Sequence, residues 1–397
     1  MQNVSNRINQ LSESQTIAMA TRSRELQAEG KDIISLSLGE PDFHTPERIK
    51  VAAKQAIDDN YTSYTPVSGY LELRQAISKK FKRDNNLDYS PNQIVASTGA
   101  KQSIANVVLS LVNPGDEVIL PAPYWVSYVE IIKMAEGIPV FVEATIESDF
   151  KITAEQLSAV MTDKTKMMIY SSPCNPTGSI YGKAELEALA KVIATKKDFY
   201  VIADEIYEHI NFVGKHESLA QFSSIYDQVI TINGVSKGFA MTGWRLGYIG
   251  APEWIAKACD KIQGQFTSAT CSITQRAVIE AMEMDPSETW HMRDAFKKRR
   301  DYVIGRLKKM DGVIINEPEG AFYVFPNVAQ LMGKKHDKGV LKTATDLCMY
   351  LLEVAEVALV TGEAFGSPEC IRISYATSLD VLEKAMNRVE KALNQLH

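Results

Sequence analysis

Residues 199–206 read FYVIADEI, five apolar residues that run straight into two carboxylates. A half-buried strand alternates apolar and polar positions, and this one does not, so it is read as a strand covered on both faces. Asp204 at its end needs a partner, because a carboxylate leaving a buried strand requires a cation or hydrogen bonds. An arginine is one candidate and a protonated ring nitrogen of a bound cofactor is another. Working outward, the same grammar repeats from residue 93: QIVAS, EVILPA and KMMIYSS are short apolar runs, and KQSIANVVLSLV, VSYVEIIKMA and KAELEALAKVIATKK between them carry helical periodicity. Strands alternating with helices in this way predict an α/β domain built on a largely parallel sheet.

The flanks read differently. A long polar helix pattern at 287–310 leads into short strand patterns, VIINEP, AFYVFP and CIRISYA, which suggest a smaller α+β companion domain. The opening segment through IISLSLGEPDF precedes the first α/β unit and is expected to return to that companion. The expected division is 46–295 for the large domain and 1–45 with 296–397 for the small one.

At 397 residues the chain is long enough to bury a deep site. Its 45% hydrophobic and 23% charged residues are ordinary for a globular protein, and a net charge of −6 leaves no electrostatic footprint for nucleic acid. The KKRR run at 297–300 is read as a solvated helix face. Five cysteines, an odd number without a CxxC pair, point to a reduced, cytoplasmic setting, and no metal site is expected. Cys174 has no flanking histidine and reads as a small buried thiol. No run of 18 apolar residues appears, so neither membrane spanning nor secretion is expected.

In open parallel sheets ligands gather at the carboxyl ends of strands. The unusual loops fall there: STGAKQS after IVA, PAPYW after VIL, SPCNPTG after MMIY, DEIYE after YVIA, and NGVSKG after VITI. STGAKQS places a glycine turn before a helix N-terminus, whose free amides and positive dipole end suit a phosphate, although a plain helix start reads the same way. It matches neither the GxxxxGK[ST] loop nor the GxGxxG fingerprint. Lys237 sits among glycines and apolar residues, with Arg245 eight positions on. Desolvation and a neighbouring cation both favour its neutral, nucleophilic form. The other reading is a surface lysine with its stem laid on apolar groups.

Taken together, SPCNPTG, DEIYE, NGVSKGFAMTGWRLGY and the late RISYA resemble the class I aminotransferases of the fold-type I pyridoxal-phosphate enzymes. The similarity runs in matching order from LSLGEPDF to IRISYA and is nearest to the aspartate aminotransferase branch that also uses prephenate. It implies a mostly parallel seven-stranded sheet flanked by helices, and a homodimer with shared active sites. It also implies that Lys237 forms a Schiff base with pyridoxal 5′-phosphate and shuttles a proton, that Asp204 pairs with the pyridinium nitrogen, and that Asn175 and Tyr207 hold the ring's phenolic oxygen. Trp125 would stack on the ring. The phosphate would rest on the amides of Ala100 and Lys101 with Arg245 as counter-ion, and Tyr64 would reach it from the partner subunit. Arg372 would grip the substrate α-carboxylate, with the Gly39 backbone beside it.

Two positions depart from the family pattern. Where many relatives carry a phosphate-binding serine this chain has Gly234, which leaves Ser236 an indirect role. QGQFTSAT offers no arginine for a distal carboxylate, with Phe266 near the expected place, so the resemblance assigns that task to Lys101, aided by Ser14 and Thr16. Lys101 could also be no more than a cation beside the phosphate. The implied reaction is ping-pong transamination of L-aspartate with 2-oxoglutarate, giving oxaloacetate and L-glutamate. The alternative is amino transfer to prephenate or another aromatic 2-oxo acid.

Overall fold

The computed structural model describes residues 4–13, 15–337 and 339–397. The chain enters through helix α1 (Gln15–Ala28) and a short strand, β1 (Ile34–Ser35). A seven-stranded sheet follows, made of β2 (Ile94–Ser97), β3 (Glu117–Ala122), β4 (Ile138–Glu143), β5 (Thr165–Ser171), β6 (Tyr200–Asp204), β7 (Val229–Gly234) and β8 (Gly247–Gly250). Their spatial order is β2-β8-β7-β6-β5-β3-β4; β8 runs antiparallel to both neighbours and every other pairing is parallel. The seven strands and the mostly parallel pairing agree with the sequence-based expectation.

The absence of polar alternation has a direct structural cause. On β6, Ile202 faces one apolar cluster with Val118, Leu120, Ile169 and Ile230, while Val201 and Ala203 face another with Met168, Tyr170 and Val229. Both faces are covered, so odd and even positions must both be apolar. The sheet therefore holds its strand ends rigidly, and the loops leaving those ends inherit fixed positions.

A second framework forms from the chain's two ends. β1 pairs in parallel with β10 (Val357–Ala358), and β12 (Ile371–Ser374) pairs antiparallel with β9 (Tyr323–Val324) and β11 (Val360–Thr361). A separate apolar cluster unites Ile34 and Leu36 with Phe322, Leu347, Ile373 and Leu382. The opening segment thus joins the C-terminal strands.

One sequence expectation fails. In α3 (Trp290–Leu307) the KKRR run is not wholly solvated: Lys297 and Lys298 are exposed, but Arg300 is 7% exposed. It lies on the stripe of Phe296, Val303 and Leu307, donates to the Pro318 carbonyl at 2.8 Å and pairs with Asp301. Among the described residues no helix is long and apolar enough to cross a membrane.

The contact that seats helix α2 (Ala100–Leu111) on the sheet depends on a missing side chain. A Cβ on Gly247 of β8 would collide with the Ala100 backbone, whose Cα would lie 2.6 Å away. Gly247→Ala is expected to lower stability by about 1–3 kcal/mol through overpacking, read from the urea midpoint. Gly243→Ala, which meets nothing within 4 Å, should leave the midpoint unchanged.

Candidate active site

The carboxyl ends of the sheet and the chain's opening segment enclose a cavity of about 280 Å³. β6 delivers Asp204 and, one turn later, Tyr207; the loop after β7 delivers Ser236 and Lys237; β5 ends in Ser171 and the loop after it delivers Asn175. Ala100 and Lys101 come from the first turn of α2, Trp125 from the loop after β3, and Arg372 from β12. Gly39, Thr16 and Arg245 also line it. Of the residues named from sequence for this site, Tyr64 stands apart, fully exposed on the surface. Phe266 is 68% exposed and does not line the cavity. Ser14 lies outside the described residues.

Lys237 is half-buried, and its Nζ donates to the Gly39 carbonyl at 2.5 Å. Burial, reinforced by Arg372 and Arg245, lowers its pKa to about 8, against the pull of Glu40 and Asp204. The sequence reading of an amine pushed toward its neutral form thus has a physical basis, and the surface-lysine reading does not hold. Asp204 is 5% exposed, and burial pushes it up to about 6. Two hydrogen bonds oppose that rise: Tyr128 Oη donates to Oδ2 at 2.7 Å, and the Ile206 amide donates to Oδ1 at 3.3 Å.

Arg372 is buried at 2% exposure. Its Nη1 donates to Asn175 Oδ1 at 2.9 Å and its Nη2 to the Ser37 carbonyl at 2.6 Å, while Nε has no partner among the described residues. The guanidinium lies 4.6 Å from the Tyr323 ring centroid and 4.9 Å from that of Phe365. Arg245 has a left-handed φ of +55° and donates to the Thr242 carbonyl at 2.9 Å and the Thr98 carbonyl at 3.4 Å. Its fit requires Gly99, which has φ +88° and where any Cβ would strike the guanidinium. Lys101 Nζ sits 4.9 Å over the Trp125 ring, its pKa lowered by burial and by Arg245. Tyr207 and Tyr323 share a hydrogen bond between their hydroxyls at 2.8 Å.

Lys237, Arg245 and Arg372 thus converge while hydrogen-bonded to carbonyls and one amide oxygen rather than to carboxylates. Lys101 adds a fourth cationic side chain, against Asp204 as the one acidic residue of the wall. Arg372 is buried and Lys237 partly buried, while Arg245 and Lys101 are exposed at the wall, and four cations around one carboxylate suit a ligand that carries several negative charges. α2 begins at Gly99 with no side-chain cap, leaving helix N-terminal amides for an anion. Helix start, buried carboxylate, recessed amine and aromatic plate together fit a phosphorylated aromatic aldehyde with a basic ring nitrogen.

Gly234, the departure from the family pattern, has a steric reason. A Cβ there would lie 2.9 Å from both Gly247 Cα and the Leu246 carbonyl, so a serine has no room. Sequence reasoning missed Tyr128, Tyr323 and Thr242, which all line the cavity. Tyr128 follows Trp125 by one helical turn and had no other signal. Cys174 behaves as expected: burial pushes its thiol up, away from a nucleophile's range.

The folded protein binds a proton on Asp204 between about pH 4 and 6 that the unfolded chain releases, so stability falls as pH rises through that window. In protein free of cofactor, Asp204→Asn is therefore expected to raise unfolding free energy above pH 6 by about 1–3 kcal/mol and to bring little at pH 4. Urea melts at both pH values check this; equal effects at the two would contradict it.

The sequence pattern of the aminotransferase class I and II family matches residues 31–389. The chain is 45% identical over 395 residues to the bifunctional aspartate aminotransferase and glutamate/aspartate-prephenate aminotransferase of Petunia hybrida, covering 98% of this chain and 82% of that protein. The aspartate aminotransferase of Rhizobium meliloti superposes with a TM-score of 0.97 at 40% identity over 100% of both chains. That of Thermus thermophilus, solved with maleate, gives 0.92 at 37% identity over 99% of this chain and 100% of its own. On sequence pattern, relatives and fold alike, the chain belongs to the class I and II aminotransferases.

Proposed function

We propose that the protein is a pyridoxal-phosphate-dependent aspartate aminotransferase, exchanging L-aspartate and 2-oxoglutarate for oxaloacetate and L-glutamate by a ping-pong mechanism. The observation that carries this reading is the convergence of four cationic side chains, Arg372 fully buried among them, on a cavity whose one acidic residue is the buried Asp204. When bound, the cofactor supplies an electron-withdrawing ring that stabilises the negative charge left at the substrate Cα. Every remaining task falls to side chains of this chain.

Arg245 and the first amides of α2, from Ala100 and Lys101, would hold the phosphate. Asp204 would hold the ring nitrogen, its carboxylate oriented by Tyr128. That partner would also neutralise the anion whose burial is otherwise unfavourable. Asn175 and Tyr207 would hold the phenolic oxygen, Trp125 would cover the ring face, and Ser236 would act from beside Lys237. Lys237 would hold the aldehyde carbon and then move the proton at the substrate Cα. Its pKa of about 8 keeps a fraction of neutral amine near physiological pH.

Arg372 is suited to the substrate α-carboxylate because its Nε has no other partner among the described residues. Gly39 would lie beside that carboxylate, and a Cβ there would strike the Tyr323 hydroxyl. Lys101 and Thr16 would meet the distal carboxylate of a dicarboxylate, and the maleate held by the Thermus protein is an anion of that kind. The second activity named for the Petunia protein makes prephenate or another aromatic 2-oxo acid the alternative acceptor.

The two apolar frameworks support a division into a large domain, 46–295, and a small one, 1–45 with 296–397. The Lys237–Gly39 and Arg372–Asn175 bonds, which join the two, would tighten as these close and exclude water. We assign a homodimer in which the exposed Tyr64 reaches the partner's phosphate site, and a cytoplasmic location.

Purified protein loaded with pyridoxal phosphate should convert to the pyridoxamine form on adding L-aspartate and return on adding 2-oxoglutarate, followed by absorbance. Inertness to aspartate would reject the reading, and preferred return with prephenate by kcat/KM would select the alternative. Arg372→Leu should lower kcat/KM for aspartate by about 10- to 150-fold, the equivalent of about 1.5–3 kcal/mol for a charged hydrogen bond.

A further inference from the structure

The Asp204–His209 turn has two faces. Asp204 and Tyr207 look into the cavity, whereas Glu205 and Glu208, at 1% and 7% exposure, are buried behind it. Glu208 carries the ammonium of Lys80, itself 1% exposed, and accepts from Asn85 Nδ2 at 2.7 Å. Glu205 Oε1 accepts from Ser218 Oγ at 2.6 Å. On its other side, His216 Nε2 stands 3.0 Å from Oε2, with the His216 side chain 7% exposed.

Glu205 Oε2 and both ring nitrogens of His216 make no other hydrogen bond among the described residues, which leaves the imidazole and the carboxylate to each other at 3.0 Å. Two buried carboxylates face one ammonium. Asp84, 3.8 Å from Lys80, is already paired with Arg83 at 2.6 Å. His209 Nε2 lies 3.3 Å from Glu208, but burial lowers its pKa and keeps it neutral. Tyr248, which faces both carboxylates, is pushed far up by burial and is neutral too. Glu208 and His216 also line a cavity of about 470 Å³ on the solvent side, whose other charged residues are Arg83, Asp84, Lys215, Asp285 and Arg293. With a neutral His216, one buried carboxylate would lack a counter-charge, an arrangement that is strongly disfavoured. The donor atoms of Glu205, Glu208 and His216 lie within 4.8 Å of one another, a spacing compatible with a cation, but Lys80 fills that role at Glu208.

We propose that His216 is a positioning residue of the active site: it holds a proton against Glu205, neutralises the rear of the turn, and thereby fixes Asp204 and Tyr207 at its front. Glu205 and Glu208 offset the burial of the imidazolium, which raises the His216 pKa. The turn is therefore firm while His216 is protonated and loosens as pH rises through its midpoint. The link to cofactor binding rests on the proposed function, whereas the proton on His216 does not.

The test is a histidine NMR titration of the cofactor-loaded enzyme, with His216 assigned by the resonance lost in His216→Gln, together with the pyridoxal phosphate dissociation constant across the same pH range. The His216 midpoint should lie above the ordinary value of about 6.5, and the dissociation constant should rise about tenfold across that midpoint. His216→Gln should bind cofactor about tenfold more weakly at pH 7 and show no such step. Glu205→Gln/His216→Gln, a neutral pair, should recover most of the affinity without pH dependence, a rescue that loss of packing alone would not produce. A midpoint at or below about 6.5, or a pH step that persists in His216→Gln, would overturn the proposal. Should the protein bind no pyridoxal phosphate, the proposed function would fail, and the titration of unloaded protein would still decide the proton on His216.

Discussion

Desolvation of the half-buried Lys237 amine near two arginines is the constraint on which the rest of the structure depends. An ammonium prefers water, and Arg245 and Arg372 increase its discomfort. The fold accepts that cost at one place and supports it with close approaches that a single methyl group would block. Gly99 gives Arg245 its room, Gly247 lets α2 meet the sheet, and Gly234 lets β7 and β8 come together. Arg245 itself adopts a left-handed backbone, a conformation that non-glycine residues hold only where surrounding structure enforces it.

The sheet explains how such a site stays in register. β5, β6 and β7 run parallel, so their carboxyl ends open onto one edge, and both faces of each strand are locked in apolar clusters. Asp204 therefore stands on a rigid post, with Tyr128 holding one oxygen from a neighbouring helix. The other wall comes from the chain's ends, where β12 supplies Arg372 and the segment after β1 supplies the carbonyls of Ser37 and Gly39. A charge-rich cavity between a stiff sheet and a smaller framework can admit an anion and then enclose it, which is what water exclusion around a reactive carbanion requires.

Much of this was legible from residues whose placement contradicts ordinary propensity. Asp204 ends an unbroken apolar strand, Lys237 lies among glycines, and the prolines and asparagine of SPCNPTG mark a rigid loop; each is odd locally and purposeful at a strand end. Tyr128 and Tyr323 were silent because they sit inside apolar patterns, where an aromatic reads as core and only the third dimension shows what its hydroxyl meets. His216 was silent for a different reason: it lies on a loop twelve residues beyond Asp204, and its closeness to Glu205 arises from the return of that loop. Arg300 was misread because four adjacent charges look like a solvated face. The helical spacing from Phe296 through Val303 to Leu307 carries it onto the buried stripe.

The central claim is that Lys237, and no other amine, carries the cofactor. The most direct measurement is borohydride reduction of the protein loaded with pyridoxal phosphate, followed by proteolysis and mass mapping of the pyridoxyl group. The account expects a single modified peptide with the label on Lys237. A label on Lys101 or on a surface lysine, with Lys237 unmodified, would contradict it.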